Sequence, residues 1–160
     1  MNIQRLKAMK DQGFTLVEVL VVIGILAILL AITLVAINPN QHFQDSRNSQ
    51  RQANVTAILD AIYEYESSHS GNVPPSLVGL STASPIANHA VPVVGEIDLC
   101  ADIVPADIAD LPLDPSTGTK AGATCAGGDY NTGYRIAQSA SNRFTVSAPS
   151  AEGTTISVTR

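Results

Sequence analysis

The chain has 160 residues, of which 45% are hydrophobic and 14% charged, with a net charge of −5. That length and apolar content allow one modest folded domain beside a membrane helix. The acidic balance excludes a bulk electrostatic footprint for nucleic acid, and no nucleic-acid partner is expected.

Residues 1–13 carry Arg5, Lys7 and Lys10 against the single acid Asp11, and they end in Gly13. From Phe14 to Ile37 the sequence reads FTLVEVLVVIGILAILLAITLVAI, with Glu18 as its only charge. As a helix this run is about 36 Å long at ~1.5 Å per residue, enough to cross a hydrocarbon core of ~30 Å. It is apolar on every face, so it must be buried in lipid or in other protein. The basic residues lie upstream and the next one, Arg47, comes only well downstream. This asymmetry directs the N-terminus to the cytoplasm and the rest of the chain outward.

The junction differs from a secretory signal, in which an apolar region of ~7–15 residues precedes a small-residue cleavage site. Here the apolar run is longer, and the small residue, Gly13, stands before it. A cut after Gly13 removes the basic leader, retains the whole helix, and takes away three basic side chains and one acid, leaving −7 before the new amine is counted. Glu18 calls for a partner, because a carboxylate near the middle of a membrane helix costs ~2.5–3.5 kcal/mol, and less near an end. The cut supplies one. Phe14 gains an α-ammonium one helical turn from Glu18 and on the same face, in the same chain or in a neighbouring subunit.

A basic leader ending in Gly13, followed by Phe14-Thr15-Leu16-Val17-Glu18 and a long apolar helix, resembles the type IV prepilins and the pseudopilins of type II secretion. The resemblance is strong over roughly residues 5–37. It implies cleavage between Gly13 and Phe14 by a membrane prepilin peptidase and N-methylation of Phe14. It further implies assembly of many such helices into a filament core, with Glu18 neutralising the amine of a neighbour.

After Ile37 comes Asn38-Pro39-Asn40-Gln41. A proline breaks interior helix hydrogen bonding and pushes the preceding residue out of the α region. Asn-Pro is also a good helix start, with Asn38 as N-cap, Pro39 at the first position and Gln41 completing a capping-box-like pattern. The expectation is a kink or short interruption, then resumed helix. Members of the resembled family often carry a proline a few residues earlier, at the position of Val35. Over residues 41–68 the helix becomes amphipathic, with Val55, Ile58, Leu59, Ile62 and Tyr65 at spacings of three and four. Gln50, Arg51, Gln52, Asp60, Glu64 and Glu66 mostly take the other positions. Gly71 suits a C-cap, and Pro74-Pro75 prevent continuation.

Residues 73–133 read as loop-rich, punctuated by Pro74, Pro75, Pro85, Pro92, Pro105, Pro112 and Pro115. Short helical turns are expected at 76–80 and 106–109. Three strand-like runs follow, Tyr134–Ala137, Phe144–Ser147 and Thr155–Thr159, with Tyr134/Ile136, Phe144/Val146 and Ile156/Val158 on one face. An antiparallel meander of these strands buries that face against the helix stripe, since neither element can bury its apolar surface alone. The expected fold is α+β and pilin-like: a long N-terminal helix, its first half transmembrane, packed on a small antiparallel sheet. The corresponding segments are a cleaved leader (1–13), a membrane and filament-core helix (14–37), its amphipathic continuation (38–72) and a C-terminal head (73–160).

Cys100 and Cys125 form neither a CxxC motif nor a zinc-like spacing. With the orientation above they lie on the oxidising side of the membrane, where a disulfide is expected and two free thiols are the alternative. Leu111-Pro112-Leu113-Asp114-Pro115 looks similar to the Leu-Asp-Pro loop of the major pseudopilins, whose head can bind calcium. In this chain the loop continues as Ser116-Thr117-Gly118-Thr119, without the family's usual aromatic and asparagine residues. Two readings stand. Asp110, Asp114 and Asp129 supply oxygens to calcium, or the run Asp98, Asp102, Asp107, Asp110, Asp114 is a solvated acidic surface and no cofactor is bound. The second is the simpler.

The histidines at 42, 69 and 89 are scattered, and no nucleophile elbow or phosphate-binding loop is present, so no catalytic residue is assigned. The expected role is a structural subunit of a type IV pilus or related filament. Its partners are a prepilin peptidase, an assembly platform, the inner membrane and further copies of itself. Its final location is the cell surface or, for a pseudopilus, the periplasm. A pseudopilin is one alternative, and a membrane-tethered binding module that never polymerises is another.

Overall fold

The computed structural model describes residues 13–91 and 93–160. The leader ahead of Gly13, with its basic residues, and Pro92 of the loop-rich stretch lie outside the described residues. The chain divides into two compact units, Met1–Gln41 and His42–Arg160.

The first unit contains α1, Leu16–Ile37, a helix of 22 residues with no buried side chain. By length and composition it can cross a membrane. α1 stops at Asn38, which takes the left-handed conformation at φ 43° and ψ 74°. The residue before a proline is disfavoured from the helical region, and asparagine tolerates the left-handed one. The interruption lasts one residue, because α2 runs Pro39–Ser68. The Gln41 N–H bonds the Asn38 backbone carbonyl at 3.1 Å. The expected side-chain capping box gives way to this backbone bond, since a left-handed Asn38 serves as the C-cap of α1.

In the second unit, α2 buries Val55, Ile58, Leu59 and Ile62 of the predicted stripe, together with Ala61 and Arg51, while Tyr65, its fifth member, is partly buried against the same core. It ends where the Gly71 N–H closes on the Glu66 carbonyl at 2.7 Å, with Gly71 at φ 84°. The sheet has five strands: β1 (Ser84–Asn88), β2 (Thr119–Lys120), β3 (Tyr130–Gln138), β4 (Phe144–Ala148) and β5 (Ile156–Thr159). β3, β4 and β5 form the expected antiparallel meander, with Ile136 opposite Val146 and Val146 opposite Val158. Arg135 pairs with both Pro85 and Ser147, so β1 and β4 flank β3 on opposite sides. Asn131 pairs with both Ala87 and Thr119, which places β2 on the β4 side. Tyr134, Ile136, Phe144 and Val146 join the α2 stripe in a single buried cluster. Each fully buried Ile or Leu of that cluster contributes about 1.5–3 kcal/mol relative to exposure.

The stretch 73–133 is more ordered than its prolines suggest. It holds β1, β2, a 3-10 turn at Pro75–Leu77, a short helix α3 at Cys100–Ile103 and a second 3-10 turn at Cys125–Gly127. The helical turn expected over 106–109 is displaced upstream to α3. β1 escapes a pattern search because it is short, contains Pro85 and has an irregular register between Pro85 and Ala87; a proline of this kind is tolerated on an outer strand. β3 begins four residues before the predicted strand. The buried positions alternate without a break from Tyr130 to Ile136, but one of them is the polar Thr132, followed by Gly133 at φ 79°, so the apolar pattern is hidden there.

Candidate functional site

The motif at the head of α1 is set by its cap. Gly13, Phe14 and Thr15 precede the helix, with Thr15 extended at φ −77° and ψ 152° as the N-cap. The Thr15 hydroxyl accepts from the Glu18 N–H at 3.2 Å, and the Glu18 carboxylate accepts from the Thr15 N–H at 3.4 Å. This reciprocal box satisfies two backbone donors that a helix start otherwise leaves unpaired. The Gly13–Phe14 peptide therefore lies in non-helical backbone just ahead of the first turn. A carboxylate offers about four lone-pair sites, so Glu18 retains acceptor capacity for an ammonium group. Phe14 is 82% exposed, and α1 has no described residue that the chain itself covers.

The second unit, His42–Arg160, is the folded head and contains a second constellation. Arg51 is fully buried on α2, and its Nε donates to Asp114 Oδ2 at 2.7 Å. One terminal nitrogen donates to Asn48 Oδ1 at 2.9 Å and Glu152 Oε1 at 3.2 Å; the other donates to Ser116 Oγ at 2.8 Å and Asp114 Oδ1 at 3.4 Å. Glu152 is also held by Arg47 through two bonds of 2.6 Å. Burial works to raise the Asp114 carboxyl, but Arg51 and the N–H and hydroxyl donors of Ser116 and Thr117 prevail and hold it well below the usual carboxylate range. The hydrogen bonds of Arg47 lower Glu152 to about 2.

These contacts correct two readings of the sequence. Arg51 is a core residue, not a member of the polar face. The apolar stripe carried one turn back from Val55 lands on it, and that phase was the available signal. The acidic run is only in part a solvated surface: Asp114 is buried, and Asp98, Asp102, Asp107 and Asp110 are half-buried. Asp98 accepts from Tyr130 Oη at 2.9 Å, Asp102 from the Ser76 N–H at 2.9 Å, and Asp114 is buried against Arg51. Asp110 pairs with Lys120 and accepts from the Cys125 N–H at 2.8 Å. Burial alone would raise the Asp110 carboxyl, but Lys120 and the Cys125 N–H bring it below its ordinary value. Asp129 accepts from the Ala90 N–H at 2.7 Å. Asp110, Asp114 and Asp129 thus serve separate partners. Among the described residues no three His, Cys, Asp or Glu side chains are grouped to hold a metal ion. Cys100 and Cys125 are joined by a disulfide that ties α3 to the 3-10 turn at Cys125–Gly127, with their Cα atoms 6.0 Å apart.

Residues 8–34 match the family model described as the prokaryotic N-terminal methylation motif. That motif is the signature of type IV prepilins and pseudopilins, and the α+β layout of a long N-terminal helical segment with an antiparallel sheet is pilin-like. No curated protein and no solved structure matches the chain.

Proposed function

We propose that this protein is a structural subunit of a type IV pilus or a related filament. It is made as a membrane-inserted precursor, cut between Gly13 and Phe14 by a prepilin peptidase, methylated on the Phe14 amine and polymerised through α1. The observation that carries the reading is the methylation motif over residues 8–34 at the head of a helix with no buried side chain. A helix of this kind needs an apolar surround. Lipid supplies it before assembly, and equivalent helices supply it afterwards. In the assembled state the Phe14 ammonium pairs with Glu18 of a neighbour. The role is structural rather than catalytic, and the destination is the cell surface or the periplasm.

The test has two parts. N-terminal sequencing of the mature chain should return Phe14, and a mature chain that retains the leader overturns the reading. Electron microscopy of sheared or purified material should show filaments for the wild type and none for Glu18→Ala. A wild type that stays dispersed points to a tethered module instead, and filaments that persist unchanged in Glu18→Ala overturn the pairing of Glu18 with the Phe14 ammonium. The Leu113-Asp114-Pro115 run favours a secretion pseudopilus as the second reading. Loss of protein secretion on deletion, with surface pili intact, would select it.

A further inference from the structure

The Leu113–Gly118 loop raises the question of which cation balances its acid. Asp114 Oδ1 accepts from the Ser116 N–H at 2.9 Å, the Ser116 hydroxyl at 2.8 Å, the Thr117 N–H at 3.0 Å and Arg51; Oδ2 accepts from Arg51 Nε. Both oxygens are therefore committed to donors. Calcium needs six to eight oxygens at 2.3–2.6 Å, and the donors already on Asp114 present N–H and O–H hydrogens instead of lone pairs.

The space is closed as well. A Cβ added to Gly133 would come within 2.7 Å of Asp114 Cβ and of Thr117 Oγ1, and one added to Gly118 within 2.7 Å of the Asp114 backbone nitrogen. The Asp114 N–H bonds the Thr132 carbonyl of β3 at 2.8 Å, and the Gly118 N–H bonds the Asp114 carbonyl at 3.0 Å. The loop is folded on itself and on β3 without a cage of oxygens. The guanidinium is fully accommodated too. It is 0% exposed and meets two carboxylates, an amide oxygen and a hydroxyl, the planar multi-donor recognition for which arginine is suited.

We infer that this loop takes its cation from the chain itself, with the Arg51 guanidinium seated on Asp114 in place of a divalent ion, so that the head folds and stays folded without calcium. The Asp110, Asp114 and Asp129 set does not fit a metal, because each carboxylate already has a different partner. Arg51 joins α2 to the 113–118 loop and, through Glu152, to the turn before β5.

The test is thermal unfolding of the full chain in detergent, followed by circular dichroism, in excess calcium chloride or excess EGTA. The head transitions should superimpose; a transition that calcium raises or EGTA lowers overturns the inference. Arg51→Met keeps the bulk of the side chain and leaves Asp114 buried without a counter-ion. It should lower the transition by roughly 10 °C or more, equally in both solutions. Arg51→Met combined with Asp114→Asn, which removes the charge but keeps an acceptor for the Ser116 and Thr117 N–H groups, should lose less than Arg51→Met and Asp114→Asn lose separately when summed, as directly coupled residues require. Single-variant melting like the wild type, or a double variant that loses the sum of the single effects, also overturns the inference. If Arg51→Met does not fold, the wild-type comparison of calcium with EGTA still decides.

Discussion

α1 and the head use apolar residues in opposite ways. In α1 they run round the whole circumference, and none of its side chains is covered by its own chain. In α2 they form a stripe, and Val55, Ile58, Leu59 and Ile62 are all fully buried in one cluster with the sheet. The treatment of charge differs in parallel. The single acid of α1 is spent on a cap at the exposed helix start, whereas the head buries an arginine and an aspartate at 0% side-chain exposure and saturates both. A stripe can be satisfied from within one chain, and a circumference cannot. The head is therefore complete as a fold, and α1 draws its stability from what surrounds it.

The contrast can be broken from the head side without touching α1. Phe144→Ala removes a fully buried ring of β4 and should destabilise the head by about 3–5 kcal/mol. The mature N-terminus should stay unchanged in Edman sequencing, since the processing motif does not depend on the core. Loss of the 25-residue cross-link comes next. Cys100→Ser with Cys125→Ser should lower head stability by about 3 kcal/mol in chemical denaturation, because the open loop gains entropy in the unfolded state.

The smallest effect concerns pH. Asp114 and Glu152 are both held below their ordinary values by the arginines. A carboxyl with a lowered folded-state value contributes stability above its unfolded value and loses it as pH falls toward the folded one. The contribution of these two groups should therefore be flat from pH 8 to about 5, then decline as pH falls through the unfolded carboxylate range near 4 toward about pH 2, where Glu152 takes up its proton. Arg47→Gln should make the Glu152 part of that decline smaller and end it at higher pH in a melting series, with its onset unchanged, since Arg47 is its main hydrogen-bond donor.

Much of this arrangement is legible in the sequence because it is periodic or local. The α1 run, the α2 stripe and the alternation in β3, β4 and β5 each repeat within a few residues. Glu18 and Thr15 are three positions apart, so their capping box is local as well, although the sequence alone points to a box at Asn38 and Gln41 instead. The features that escape are non-local. β1 is recognisable only by its contacts with β3, where the Thr132 hydroxyl donates to the Ile86 carbonyl 46 positions away. Arg51 reads as polar because its partners lie 63 and 101 positions away. The aspartates of the Pro-rich stretch look solvated for the same reason, since Asp102 caps a turn 26 residues upstream. Charge on a residue signals exposure only until a counter-ion is found for it.

The sequence separation of the Arg51 partners also orders events during synthesis. The chain is made from its N-terminus, so α1 emerges first while the ribosome is still extending the head. Arg51 follows soon afterwards, but it has no counter-ion until Asp114 is translated and no complete set until Glu152 is. A guanidinium cannot be desolvated at low cost before that point. The head therefore cannot close around Arg51, a residue made in the first third of the chain, until Glu152 has been made.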